Sequence, residues 1–301
     1  MRKFGDVLSK YSLKPCKYQV KGKATIIDTN NGKFVIKEKN RDGNSSIYEY
    51  LNSRNFNYYP KVISNYEDDY VITEYIESSI MPDEQKLMDL IDLVSLLHSK
   101  TTHYKEVDAA DYKKLYEDIA NNIEYLYSYY NDIITIIESR VYMSPAEYLL
   151  ARNISLIFSS LNYAKDELEK WYELINNKTK QRLVVLHNNL DMSHFIRNKE
   201  AYLINWDKSK IDIPIFDLYK LYKRHSLDYD FEEVLKRYER NYPLLEEERK
   251  LLFILIILPD KLEFDENNFE MTKKVSRLID SLYKTQKLIS PYYSTDTKEK
   301  Q

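Results

Sequence analysis

Four polar residues stand at the spacing of a phosphoryl-transfer centre. They lie in His187-Asn188-Asn189-Leu190-Asp191-Met192-Ser193-His194 and, eleven residues further on, Asn205-Trp206-Asp207. In such a centre a histidine orients the loop. Two residues later an aspartate takes the proton of the attacking hydroxyl. Five beyond it an asparagine holds magnesium, and an aspartate on the next strand holds it again. Here His187 keeps the orienting position, but Asn189 stands at the base position, His194 at the amide position and Asn205 at the strand acid.

Those exchanges have direct chemical consequences. An asparagine amide has no basic site near neutral pH, and loss of a positioned general base costs about 10²- to 10⁴-fold in rate. Asn205 withdraws a negative charge from the site of a hard, oxygen-seeking cation. His194 offers an imidazole nitrogen, which suits zinc, copper or nickel better than magnesium. Two histidines without a third placed ligand fall short of the usual transition-metal set. Asp207 and Asp191 are the substitute acids. Asp207 lies two residues past Asn205, where strand alternation returns it to the same face; Asp191 is also suited to bonding loop amides.

Two short buried strands, 183–186 and 201–204, flank this loop. Upstream, the chain changes character near residue 80. Segments 18–28 and 33–39 are strand-like, joined by a turn at Asn30-Asn31-Gly32 where positive φ costs little. A helix is expected over 44–54 with Ser45 and Ser46 as caps. A second hairpin is expected from 60–66 and 70–75, turning at Glu67-Asp68-Asp69, with 77–81 a linker.

From Pro82 helical periodicity takes over. Leu87, Leu90, Ile91, Val94, Leu97 and His98 recur at spacings of three and four. Segments 112–142 and 145–176 read as two long helices, the second capped by Ser144 with Pro145 in its first turn. Segment 216–289 is helical again. The reading is an α+β fold with a small antiparallel lobe over 1–78, a large mainly helical lobe over 79–290, and a disordered tail over 291–301.

Lys37 ends a β-branched strand and can reach inward toward phosphates, while Glu49, twelve residues on, is placed to form an orienting ion pair with it. Glu74, in Thr73-Glu74-Tyr75-Ile76, falls where a backbone hinge would meet a nucleobase.

Taken in order, these features resemble the aminoglycoside phosphotransferase and choline kinase superfamily, and within it the CotS-type spore-coat branch. The resemblance rests on Val35-Ile36-Lys37, Leu96-Leu97-His98, the His187 loop, Leu203-Ile204-Asn205-Trp206-Asp207, Pro214-Ile215-Phe216-Asp217-Leu218, and 252–261 with Leu258-Pro259-Asp260-Lys261. It implies a bilobal protein-kinase-like fold. It also implies a loop-orienting His187, a structural Asp217 tying the loop from below, nucleotide contacts at Lys37, Glu49, Glu74 and Asp207, and spore-coat proteins as partners.

Composition narrows the remaining classes. A net charge of −3, with charged residues at 31% mixed in sign, gives no general attraction to nucleic acid or anionic membrane. Cys16 is the only cysteine, so no internal disulfide is possible. The longest apolar run, 251–258, is too short to span a bilayer, and the start of the sequence lacks a secretory pattern, so a cytoplasmic or spore-coat location is expected. Ser193 is not in a nucleophile elbow. Gly5, Gly22, Gly32 and Gly43 are the only glycines and do not form a phosphate-wrapping loop. The expectation is a pseudokinase with a binding or scaffold role, using no cofactor. The alternative is a phosphotransferase acting on an alcohol group with ATP and Mg2+, in which substitute acids serve.

Overall fold

The computed structural model describes residues 4–39, 47–65, 68–264 and 267–296. The chain divides into two compact units, Met1–Thr102 with Val184–Asp212, and His103–Leu183 with Ile213–Gln301. The expected α+β class is what is found, an antiparallel sheet with a larger helical part.

The first unit opens with a six-residue helix, α1 (Gly5–Lys10), followed by β1 (Pro15–Lys21), β2 (Ala24–Thr29) and β3 (Gly32–Glu38). The segment 18–28, read as one strand, is two. Lys21 pairs with Ala24 across the two-residue turn Gly22-Lys23, and Gly22 takes φ +57°, which glycine adopts without a Cβ penalty. The Gly32 turn is where it was expected, with φ +116°. After α2 (Ile47–Ser53) comes β4 (Tyr70–Glu74), giving the order β1-β2-β3-β4, all antiparallel. The expected caps Ser45 and Ser46 lie outside the described residues. Among the described residues the second hairpin shows one bridge, Val62 with Thr73, supported by the Ile63 N–H donating to the Ile72 carbonyl; Tyr66 and Glu67 at its expected turn lie outside them.

Alternation along these strands gives the sheet two faces. Ile27, Phe34, Ile36 and Ile72 pack with Leu8 of α1 and Leu13 into a buried cluster. Ile26, Val35, Lys37, Val71 and Thr73 fall on the opposite face. The next helix, α3 (Asp83–Thr101), buries the apolar stripe Leu87, Leu90, Ile91, Val94 and Leu97, with His98 fully buried beside them. This helix belongs to the first unit, so the units do not follow a single cut at residue 78. The physical reason is its packing against the loop around Met192–His194 and against the strand at Ala201–Leu203. The Thr101 hydroxyl accepts the Val185 N–H at 3.0 Å in a buried site.

In the second unit β5 (His103–Glu106) precedes two long helices, α4 (Ala109–Glu138) and α5 (Pro145–Ile175). Ser144 caps α5 as expected and completes a capping box with Glu147. α4 stops short of residue 142, because Ser139 turns the chain and leaves Val141 and Tyr142 in solvent. β6 (Lys180–Leu186) pairs through residues 180–183 with β5. Its residues 184–186 pair with a later strand of the first unit. That unit also holds β7 (Phe195–Arg197), β8 (Ala201–Leu203) and the later strand itself, β9 (Lys210–Asp212).

The chain ends in the second unit with α6 (Ile215–His225), α7 (Phe231–Asn241), α8 (Glu246–Ile257) and α9 (Asn268–Asp296). α8 carries the apolar run and is buried along most of its length. α9 continues to Asp296, into the segment 291–301 expected as a disordered tail, of which residues 297–301 lie outside the described residues. Buried Leu288 and Ile289, and the Tyr292 ring packed on Phe253 with the Arg249 guanidinium over it, carry apolar anchoring past residue 290. Among the described residues no helix is long and apolar enough to cross a membrane.

Candidate functional site

His187 follows directly on β6 and is fully buried. Its Nε2 donates to the Ile204 carbonyl at 2.9 Å, and its ring meets Trp206 edge to face at 4.9 Å. The Trp206 indole N–H in turn donates to the Leu203 carbonyl at 2.8 Å. These contacts tie the start of the loop to the segment 203–206. The loop turns at Asn188, with φ +59° and its side-chain amide donating to the Lys208 carbonyl at 2.7 Å. A small amide side chain tolerates this left-handed conformation better than most residues.

The three exchanged positions are brought together. The His194 Nδ1–H donates to the Asn189 carbonyl at 2.7 Å. That leaves His194 Nε2 as an acceptor, and the Asn205 Nδ2–H reaches it at 3.0 Å. Asn205, itself left-handed at φ +71°, turns its Oδ1 to the Lys37 ammonium at 2.5 Å. A directional chain of bonds therefore runs from the loop carbonyl through an imidazole and an amide to the strand lysine. Lys37 also lies 3.4 Å from Asp207, whose side chain is 49% exposed.

Asp191 behaves as a loop residue. Its Oδ1 accepts the Ser193 N–H at 2.8 Å and the Ser193 hydroxyl at 2.6 Å, capping the short turn Met192–His194. Glu49 is exposed on α2 and is not the partner of Lys37, which pairs with Asn205 and Asp207 instead. The geometry thus corrects the expected Lys37–Glu49 ion pair, because the carboxylate and amide at 205–207 already take the ammonium. Glu74 sits at the end of β4, its N–H donating to the Lys61 carbonyl at 3.0 Å. Asp217 is fully buried in the first turn of α6, in the other unit.

Lys37, Glu74, Asn189, His194, Asn205 and Asp207 line one cavity of about 820 Å³ within the first unit, a size suited to a small organic ligand. Its apolar wall comes from the outward-alternating residues of the sheet, Ile26, Val35 and Val71, with Ile204 opposite. Also on its rim are Lys21, Lys23, Lys86 and Lys208, which the sequence reading did not single out. A signal for the first two existed in Lys21-Gly22-Lys23, a glycine turn hidden inside a single presumed strand. Among the described residues no group of three or more His, Cys, Asp or Glu side chains is arranged to hold a metal ion.

No family model and no curated protein sequence matches this chain. Solved structures do. An aminoglycoside phosphotransferase from Alicyclobacillus acidocaldarius superposes with a TM-score of 0.71 at 9% identity, covering 96% of this chain and 94% of its own. A spectinomycin phosphotransferase, solved with ADP and spectinomycin, gives 0.54 at 13% identity over 95% and 98% of the two chains. Choline kinase from Streptococcus pneumoniae gives 0.52 at 17% identity over 98% and 100%. At these identities the likeness speaks to architecture, and the architecture is the α+β kinase-like fold of aminoglycoside phosphotransferases and choline kinase.

Proposed function

We propose that this chain is a catalytically impaired, kinase-like protein, a pseudokinase, whose cleft binds or scaffolds without transferring phosphate. The observation carrying this reading is the bonded chain Asn189–His194–Asn205–Lys37. The His194 ring and the Asn205 side chain are each engaged at both ends, while Asn189 enters the chain through its backbone carbonyl. The Asn189 position has no proton acceptor of useful basicity. The Asn205 amide spends its oxygen on Lys37 and its nitrogen on His194.

Magnesium does not fit this donor set. It demands near-octahedral oxygen ligands, usually with carboxylates among them. Among the described residues, Asp207 and Glu74 are the carboxylates that line the cavity, and Asp207 already faces Lys37. The CotS-type resemblance adds the partner class, other spore-coat proteins, and with it a role in coat assembly.

Asp207 favours a second reading. It is half exposed and lines the cavity beside Lys37, the place for a substitute acid in an ATP- and Mg2+-dependent phosphotransferase acting on an alcohol. Phosphate release from ATP, measured with the purified full chain in Mg2+, separates the two. The expected result is release indistinguishable from buffer. Turnover that disappears in Asp207→Ala would overturn the pseudokinase reading.

A further inference from the structure

The charge on the cleft wall is not explained by the exchanged loop positions. Five lysines, Lys21, Lys23, Lys37, Lys86 and Lys208, line the cavity against two carboxylates, Glu74 and Asp207. Lys37 has Asp207 beside it. Among the described residues the other four lysines form no ion pair. Like charges gathered around one cavity repel one another and raise the local concentration of anions.

The position of two of them is informative. Kinase folds lay a glycine-rich loop over the phosphates, whose backbone amides do the wrapping. Here Lys21 pairs with Ala24, so the loop between β1 and β2 is only Gly22 and Lys23. Such a turn has few amides to offer, and ammonium groups flank it instead. Lys208, next to Asp207 in the sequence, and Lys86 of α3 line the same cavity. The chain that lacks carboxylates for a divalent cation therefore carries cations of its own around the same space.

We infer that the cleft takes a small molecule bearing a di- or triphosphate without any divalent metal, Lys21, Lys23, Lys86 and Lys208 neutralising the phosphates. This deepens the binding-without-transfer reading and rests on it. The apolar wall at Ile26, Val35 and Val71 leaves room for an organic group attached to the phosphate chain.

The test is calorimetric titration of the full chain with ATP and with inorganic tripolyphosphate, each in EDTA and in Mg2+. Binding in EDTA that Mg2+ does not strengthen is expected, and it should weaken steeply as salt screens the rim. Replacing both turn lysines, Lys21→Ala with Lys23→Ala, should weaken it about fivefold or more. Both side chains are exposed on a turn, so the melting temperature of that variant should match the parent. Tighter binding of ATP than of tripolyphosphate assigns part of the affinity to the apolar wall; equal binding assigns it to the phosphates. Binding that requires Mg2+, binding unchanged in the double variant, or no binding of either anion at millimolar concentration would overturn the inference. Phosphate release followed in the same samples keeps the two readings apart. Absence of binding and of release removes the lysine cage alone, whereas Mg2+-dependent release removes the pseudokinase reading itself.

Discussion

Asn205 is the residue on which the site turns, because its amide has two ends and both are committed. Its oxygen accepts from Lys37 at 2.5 Å and its nitrogen donates to His194 Nε2 at 3.0 Å. Restoring the acid by Asn205→Asp keeps the lysine contact but sets a carboxylate oxygen against the lone pair of an imidazole. An acceptor facing an acceptor in a part-buried site costs about 1–3 kcal/mol, the penalty for leaving polar groups unpaired. We therefore expect Asn205→Asp alone to lower stability by that amount in urea denaturation. His194→Asn on top of it supplies an amide donor and should recover most of the loss. Additive effects of the two changes would show that the bonded pair is not energetically real.

At this scale loop spacing singled out Asn189, His194 and Asn205, and the order of elements singled out Lys37; the structure joins the four by hydrogen bonds. The rim lysines were not readable, since a lysine on an exposed strand end has no periodic or chemical mark until the turn beside it is located. Glu49 failed for a related reason. Sequence order places it after the lysine strand, but only the fold reveals that nearer groups already hold the ammonium.

Elements are legible in proportion to their length and to the clarity of their ends. α5 combines a long apolar period with Ser144-Pro145 at its start, and it begins where those residues say. The box that fixes its start predicts a measurable loss. Ser144 Oγ accepts the Glu147 N–H at 3.3 Å and the Glu147 carboxylate accepts the Ser144 N–H at 2.7 Å. Ser144→Ala should cost about 1 kcal/mol in chemical denaturation. α1, only six residues long, is held by Leu8 in the sheet cluster rather than by its own propensity, and short helices of that kind leave little trace in sequence. β1 and β2 merged in the reading because the Gly22 turn interrupts no apolar run.

Two carboxyls of α5 should make its unit sensitive to acid. Burial pushes the carboxyls of Glu147 and Glu167 up, but their partners outweigh it and hold both below the ordinary range. For Glu147 the partners are the Ser144 amide and hydroxyl and Arg140; for Glu167 they are Lys170 at 2.7 Å and Lys250 at 2.5 Å. A carboxyl depressed in the folded state contributes stability that is present above its unfolded pKa. That contribution is lost as pH falls from the ordinary glutamate range through the lower folded value. The urea midpoint should therefore drop as pH falls into the ordinary glutamate range, about 4.3, and keep dropping through the lower folded values. Glu167→Gln should be less stable than the parent near neutrality yet show a smaller drop, since one titrating group is gone. An equal drop in parent and variant would assign the acid sensitivity elsewhere.

For the whole molecule, a TM-score of 0.71 at 9% identity means that the architecture survives almost complete replacement of side chains. In this chain that architecture rests on pattern, namely the two-faced sheet and the buried stripe of α3. The reverse of the exchanges at 189, 194 and 205 is open to experiment. The triple variant Asn189→Asp, His194→Asn, Asn205→Asp puts two more carboxylates beside Asp207 and rebuilds an oxygen donor set. Those acids repel one another, so without metal the variant should melt below the parent. A hard cation relieves that repulsion and binds only the folded site, so added Mg2+ should raise the melting temperature of the variant by linkage and leave the parent unmoved. Phosphate release by the variant should still be slow, because the Gly22-Lys23 turn supplies few backbone amides to wrap the phosphates. Equal response of parent and variant to Mg2+ would mean that metal affinity is set by other residues, and the exchanges at 189, 194 and 205 would lose their explanatory weight.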